Sequence, residues 1–169
     1  MHTCSYHIMI LPLGVPRKPY EMQSLIDCMT IRERVFIQEQ QVPQEIDQDG
    51  KDGESAHVLL WHEDKPIGTL RYRITEEGVK MERIAILKEY RGRHLGRLLI
   101  REGLRAIRMN ELHQNIYIHA QEHAGPFYAA LGFRETGEHT VEAGIAHITM
   151  HISAEQEQAL LDCDPFGKR

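Results

Sequence analysis

Ile84-Ala-Ile-Leu-Lys-Glu-Tyr-Arg-Gly-Arg-His-Leu-Gly-Arg-Leu-Leu99 passes from strand to helix through a turn that holds two glycines. Ile84 to Leu87 end an apolar run. From Leu95 to Met109 the residues Leu98, Leu99, Gly103, Leu104, Ala106 and Ile107 then recur on one helical face. The first N–H groups of such a helix have no intrahelical partner and sit at the positive end of its dipole, so the turn suits a phosphate or pyrophosphate. Local charge agrees. Lys88, Arg91, Arg93, Arg97, Arg101, Arg105 and Arg108 stand against Glu89 and Glu102, while the rest of the chain is net negative. Arg97, Arg101, Arg105 and Arg108 fall away from the apolar face, where an arginine row meets solvent.

Upstream, Tyr6 to Leu13 is a short apolar strand closed by Pro12, Gly14 and Pro16. A helix is predicted from Tyr20 to about Gln38, with Met22, Leu25, Ile26, Met29, Val35 and Phe36 at helical intervals. The loop after it is acidic: Glu39, Glu45, Asp47, Asp49, Asp52 and Glu54 face one Lys51. Strands follow at 57–62, 66–74 and 79–87, with turns short enough for antiparallel hairpins. Beyond the long helix, Ile116 to His119 is a strand, Ala124 to Leu131 a short helix ended by Gly132, and Ile145 to Ile152 a strand. The order β-α-βββ-α-β-α-β describes an α/β (α+β) fold with a mixed, largely antiparallel central sheet flanked by helices.

At 169 residues the chain fits a single domain, 1–169, able to bury roughly 68–70% of its unfolded surface without a disulfide or metal staple. Net charge is −5, which excludes a generic nucleic-acid coat. Cys4, Cys28 and Cys163 are widely spaced and form no Cys-x-x-Cys pair, so a reducing, cytoplasmic setting is expected. No export signal and no run of ~20 apolar residues is present, so no membrane partner is expected.

The quoted stretch resembles motif A of the GNAT (Gcn5-related) N-acetyltransferases, which hold the pyrophosphate of acetyl-CoA with Arg/Gln-x-x-Gly-x-Gly/Ala. Ala124-Gly-Pro-Phe-Tyr-Ala-Ala-Leu-Gly-Phe133 is similar to the family's motif B, and the resemblance covers about 31–150. Further segments, Arg34 to Pro43 and Glu142 to Met150, look like an uncharacterised bacterial subgroup of that family. The resemblance implies a GNAT fold, acetyl-CoA as cosubstrate with no metal, and transfer to an amine by direct attack on the thioester. It implies that Arg91, Gly92, Arg93, His94, Leu95, Gly96 and Arg97 cradle the pyrophosphate, and that the backbone of Ile84, Ala85 and Ile86 binds the pantetheine arm and acetyl carbonyl. Gln121, Ala124, Phe127 and Tyr128 complete the cofactor side, and the Tyr128 hydroxyl protonates the departing thiolate. Two positions depart from the pattern. His94 stands where glycine is usual, although histidine is among the residues enriched at positive φ. Gln121-Glu-His-Ala124 replaces the frequent Asn-x-x-Ala.

Glu82 lies two residues before Ile84, so period-two alternation puts Glu82, Ile84 and Ile86 on one strand face, where the carboxylate would accept a proton from the acceptor amine. Of the eleven histidines, His57, His119 and His147 are expected to line the acceptor pocket, and His62, His113, His123, His139 and His151 to be peripheral. His119/His123 and His147/His151 have the spacing of helical zinc pairs but begin on strands, and Asp47 to Gly53 fails the EF-hand pattern. The acidic loop predicts a negative cleft mouth, hence a small cationic amine or a lysine-bearing peptide as acceptor. A homodimer is left open. Two rivals remain: a catalytically silent acyl-CoA sensor or partner-binding domain on the same fold, and an RNA-binding protein using the basic island. The island lacks the interleaved aromatics that would favour the second, so no nucleic-acid partner is expected.

Overall fold

The computed structural model describes residues 6–16, 18–112, 115–164 and 166; Cys4 and His113 lie outside them. Seven strands form one sheet in the order β1-β2-β3-β4-β5-β7-β6. They are β1 (Tyr6–Leu11), β2 (Ala56–His62), β3 (Lys65–Thr75), β4 (Gly78–Ile86), β5 (Ile116–Gln121), β6 (Arg134–Glu142) and β7 (Ile145–Ile152). The helices are α1 (Pro19–Arg32), α2 (Gln44–Asp47), α3 (Leu95–Met109), α4 (Gly125–Ala130) and α5 (Ala154–Asp162), and α1 runs on into a π-helical stretch, Glu33–Glu39. Every strand pairing is antiparallel except β4 with β5.

The sheet separates two apolar layers. On one side α3 presses Leu99, Leu104 and Ile107 against Leu70, Tyr72 and Met81, and Tyr128, Leu131 and Leu160 extend the layer. Gly103 lets α3 lie close to the sheet there, where a Cβ would press on Met81 Cε at 2.9 Å and Leu70 Cδ1 at 3.0 Å. On the other side Cys28, Ile31 and Val35 cover Leu59, Ala85 and Leu87. Each large apolar side chain buried in this way stabilises the fold by roughly 1.5–3 kcal/mol.

Several expectations need correction. Met22 and Ile26 are 46% and 48% exposed, because α1 turns Ser24, Cys28, Ile31 and Arg32 inward instead. The predicted loop contains α2. Strand β6 carries no apolar alternation and is exposed along nearly its whole length; backbone pairing to β7, with an irregularity between Glu135 and His139, is what holds it. Helix α5, capped by Ser153 Oγ accepting from the Gln156 N–H, was also unforeseen. It accounts for part of the arginine row. Arg101 is 9% exposed and donates from Nε and Nη2 to the Leu161 carbonyl, and Arg108 Nε meets Glu157 Oε1 at 2.7 Å.

Candidate active site

Strands β4 and β5 pair only at Val79 with Ile116 and at Lys80 with Tyr117. Beyond those pairs they diverge, and the side of β4 that faces β5 is left without a strand partner. A cavity of about 620 Å³ fills the gap, within the range of small-molecule sites. A second irregularity shapes its wall. Thr69 opposes Ala85 and Arg71 opposes Glu82, so Arg83 and Ile84 form a β-bulge against β3, with Arg83 at φ +53°. The bulge changes the phase of the strand. Ile84 and Ile86 pack toward the α3 layer while Ala85 sits under α1. Glu82, opposite Arg71, shares the α1 face with Ala85, so the expected Glu82-Ile84-Ile86 face does not form.

Ile84, Ala85, Ile86, Arg91, Gly92, His94, Leu95, Gly96, Gln121, Ala124, Phe127 and Tyr128 all line the cavity. Arg93 and Arg97 do not: Arg93 stacks over the Tyr90 ring and reaches back to the Glu89 carbonyl. His94 occupies the left-handed conformation at φ +60°, ψ +11° at the N-terminus of α3, so the turn keeps its shape without the usual glycine. At Gly96 a Cβ would crowd the Phe127 ring, with Cζ at 3.1 Å. Arg91 donates from Nε to the Ile86 carbonyl and forms a two-point, half-exposed pair with Glu39. Gln121 Nε2 donates to Gln40 Oε1 across the cavity.

Tyr128 is buried, and among the described residues its hydroxyl has no hydrogen-bond partner. Burial holds its pKa above the ordinary phenol value, so it keeps its proton at neutral pH. Glu82 is differently placed. Its Oε1 accepts from Arg71 Nε, Arg71 Nη2 and Arg73 Nε at 3.1, 2.8 and 2.7 Å, and Lys80 Nζ lies 3.7 Å from Oε2. Burial raises the carboxyl, but the charges of Arg71, Arg73 and Lys80 pull it further down, below the usual range.

The acidic loop does not make a negative mouth. Asp47 and Asp52 clamp the fully buried Arg32, Asp49 and Asp52 clamp the fully buried Arg71, and Arg83 ties to Asp47, Asp49 and the Ile46 carbonyl. Glu39 is spent on Arg91. Four of the six carboxylates, Glu39, Asp47, Asp49 and Asp52, are therefore held in arginine pairs that fix the β4 bulge and the cavity wall, while Glu45 and Glu54 are exposed and do not line the cavity. Arginines separated from the aspartates by 15 to 34 residues along these hydrogen bonds gave no local sign of this.

Among the histidines, His119 and His147 line the cavity as expected, and so does His123, which was placed at the periphery. His57 is corrected: it is fully packed away and bonds through Nε2 to the Asp52 carbonyl. Lys80, Gln40 and Glu142 are cavity residues the sequence reading missed. For Lys80 the signal existed, since alternation along Val79-Lys-Met-Glu82 puts it beside Glu82; Gln40 and Glu142 had none.

Residues 18–154 match the family model described as acetyltransferase (GNAT) domain. The YyaT protein of Bacillus subtilis is 37% identical over 129 residues, 75% of this chain and 86% of that relative. YjcF of the same organism, named an N-acetyltransferase, is 33% identical and covers 76% of this chain and 91% of its own length. The crystal structure of an acyl-CoA N-acyltransferase from Pseudomonas aeruginosa superposes with a TM-score of 0.75 at 26% identity, covering 88% of this chain and all of that one.

Proposed function

Because the chain belongs to the GNAT acetyltransferase family, we propose that it is an N-acetyltransferase that moves an acetyl group from acetyl-CoA to a primary amine by direct attack on the thioester. The observation that carries the reading is the cavity between the diverged β4 and β5. One space joins the start of α3, the unpaired side of β4 and the Tyr128 hydroxyl.

The residues fit an acyl-CoA. The first N–H groups of α3 and the left-handed His94 make an anion cradle at a helix N-terminus. The missing Cβ of Gly96 keeps it open. Arg91 joins it when its half-exposed pair with Glu39, worth ~0–1 kcal/mol, exchanges for a pyrophosphate. The β4 backbone from Ile84 to Ile86 offers donors and acceptors to an extended pantetheine arm, and the Gln121 amide faces it from β5. Bound acetyl-CoA supplies an activated acyl thioester. Tyr128, protonated and unpartnered, donates its hydroxyl proton to the leaving sulfur. Glu82 contributes a fixed negative charge for the incoming ammonium; bonded to two guanidiniums, it is a weak proton acceptor.

The acceptor is a primary amine on a small molecule or a lysine side chain. The apolar Val35, Phe36, Val42 and Ile46 on one wall suit its carbon frame. The test is thiol release from acetyl-CoA across polyamines, amino acids, aminoglycosides and lysine peptides, with the acetylated product identified by mass spectrometry. Amine-dependent release with at least one acceptor is expected. Tight acetyl-CoA binding with no amine-dependent release across the panel would instead make the protein a silent acyl-CoA binder.

A further inference from the structure

An amine of pKa near 10.4 is neutral in only about one molecule in 2,500 at pH 7, so the site has to remove a proton before attack. Besides Glu82 and the mutually paired Asp47 and Arg83, the cavity wall carries Lys80 on β4, His119 on β5, Glu142 at the end of β6 and His147 on β7. Their contacts separate them. His119 meets Lys80 Nζ at 3.0 Å and Glu142 Oε1 at 3.2 Å through the same Nδ1; the first contact needs a lone pair on that nitrogen and the second a hydrogen, so the two fix no tautomer for His119. Lys80 is spent on His119 and Glu82. Glu142 has its carboxyl held at about 2, first by the His119 hydrogen bond and further by the charges of Lys80, His147 and His119.

His147 is the exception. It is 8% exposed, its ring lines the cavity, and Nδ1 lies 2.8 Å from the Ile145 carbonyl. A carbonyl oxygen only accepts, so Nδ1 carries the hydrogen and Nε2 is left with its lone pair. No described residue bonds to Nε2. His147 also stands directly across from Gln121 in the β5–β7 ladder, which puts the two side chains beside each other on one face of the sheet, at the cavity wall. Glu142 lies close enough for mutual electrostatic attraction and is placed to steady a positive imidazole.

We infer that His147 Nε2 is the base that takes the proton from the acceptor's ammonium, a role resting on the acetyltransferase reading above. The neutral imidazole accepts one proton from R–NH3+. The amine nitrogen then bonds to the thioester carbonyl carbon while the C–S bond yields its electron pair to sulfur. Tyr128 gives its hydroxyl proton to that sulfur and recovers a proton from the new amide nitrogen. His147 discharges to solvent, so one proton is released per turnover.

The experiment is the pH dependence of kcat/KM in the wild type, His147→Gln and Glu82→Gln, with an amine of pKa near 10. A histidine base gives the wild type an acidic limb and then a plateau. His147→Gln should lower kcat/KM at pH 7 by about 10²–10⁴ and replace the plateau with a slope of one up to the amine pKa. Glu82→Gln should lower the rate and keep the plateau. A plateau that survives in His147→Gln, or that vanishes only in Glu82→Gln, overturns the assignment. A readout independent of turnover is the tautomer in the wild-type protein: long-range ¹H–¹⁵N spectra should place the neutral His147 proton on Nδ1, and a proton on Nε2 defeats the proposal. Wild-type protein inactive with every amine would count against the acetyltransferase reading itself, whereas an active wild type with an unchanged profile in His147→Gln would count against this base alone.

Discussion

Arg71 on β3 and Glu82 on β4 face each other in register, and the Nε and Nη2 of the first both donate to one oxygen of the second, at 3.1 and 2.8 Å. The remaining nitrogen, Nη1, and Nη2 again reach Asp49 and Asp52 from the loop after α2. One side chain with no exposed surface therefore fastens an acidic loop to the strand just before the β4 bulge. Removing it leaves buried carboxylates facing one another. Arg71→Leu should cost about 3–5 kcal/mol in urea denaturation, the usual result of stranding one half of a buried pair. A loss below ~1 kcal/mol would mean that water already solvates the network.

The same network sets the acid limit of the fold. Asp49, Asp52 and Glu82 each feel burial first, which raises them, and are then carried below the usual carboxylate range by Arg71, Arg32, Arg83 and Arg73. Groups depressed in this way contribute stability that is fully present above their unfolded pKa near 4 and is lost as pH falls through the folded values. His57 adds an earlier step. Burial lowers its pKa against the pull of Asp52, so the unfolded chain binds its proton first and stability declines once pH drops below ~6.5. Denaturation midpoints should fall gently from pH 6.5 to 5 and steeply below 4. A flat profile down to pH 3 would refute this account.

The strands other than β6, the long helix and the cavity floor were legible because each writes a local pattern. Ile84 to Leu99 carries a strand, a glycine turn and a helix in one run, and His94 met the turn's need for positive φ with a residue that tolerates it. What escaped was non-local. Strand β6 exists through backbone pairing to β7, which leaves no alternation in its side chains. The bulge at Arg83 breaks the period-two rule that placed Glu82 with Ile84. The acidic loop read as a negative cleft mouth because its partners, Arg32, Arg71 and Arg83, are far away in sequence.

Arg101 and Arg105, four residues apart on α3, looked alike in the sequence and differ in the fold. Arg101 donates twice to the last turn of α5, whereas Arg105 makes an exposed pair with Glu102. Arg101→Met should cost about 1.5–3 kcal/mol, the range for charged hydrogen bonds, and Arg105→Met less than ~0.5 kcal/mol. Equal effects in urea titrations would show that α5 does not dock through Arg101.

Gly96 tests the anion cradle. A valine there would push on Phe127, whose Cζ lies 3.1 Å from the position of the Cβ, and would crowd the backbone donors at the start of α3. Gly96→Val should weaken acetyl-CoA binding at least tenfold by calorimetry while circular dichroism shows a folded protein. Equal affinity in the folded variant would move the pyrophosphate away from this turn.

Tyr128→Phe separates chemistry from binding. The hydroxyl has no protein partner among the described residues, so deleting it strands no donor or acceptor, and the ring keeps its edge contacts with Phe127 and Phe133. Stability should therefore change by less than ~0.5 kcal/mol. Acetyl-CoA affinity should also stay within about twofold, because the ring wall of the cavity is retained. The loss falls on proton donation to sulfur, which is commonly worth ~10²–10⁴ in rate, so kcat should drop by that factor while KM for acetyl-CoA hardly moves. The basic limb offers a second check. Burial raises the hydroxyl pKa, so the wild type should hold its activity beyond the pH at which an ordinary phenol ionises. The role is lost to Tyr128 if kcat of the phenylalanine variant matches the wild type when single-turnover measurements show that chemistry limits both.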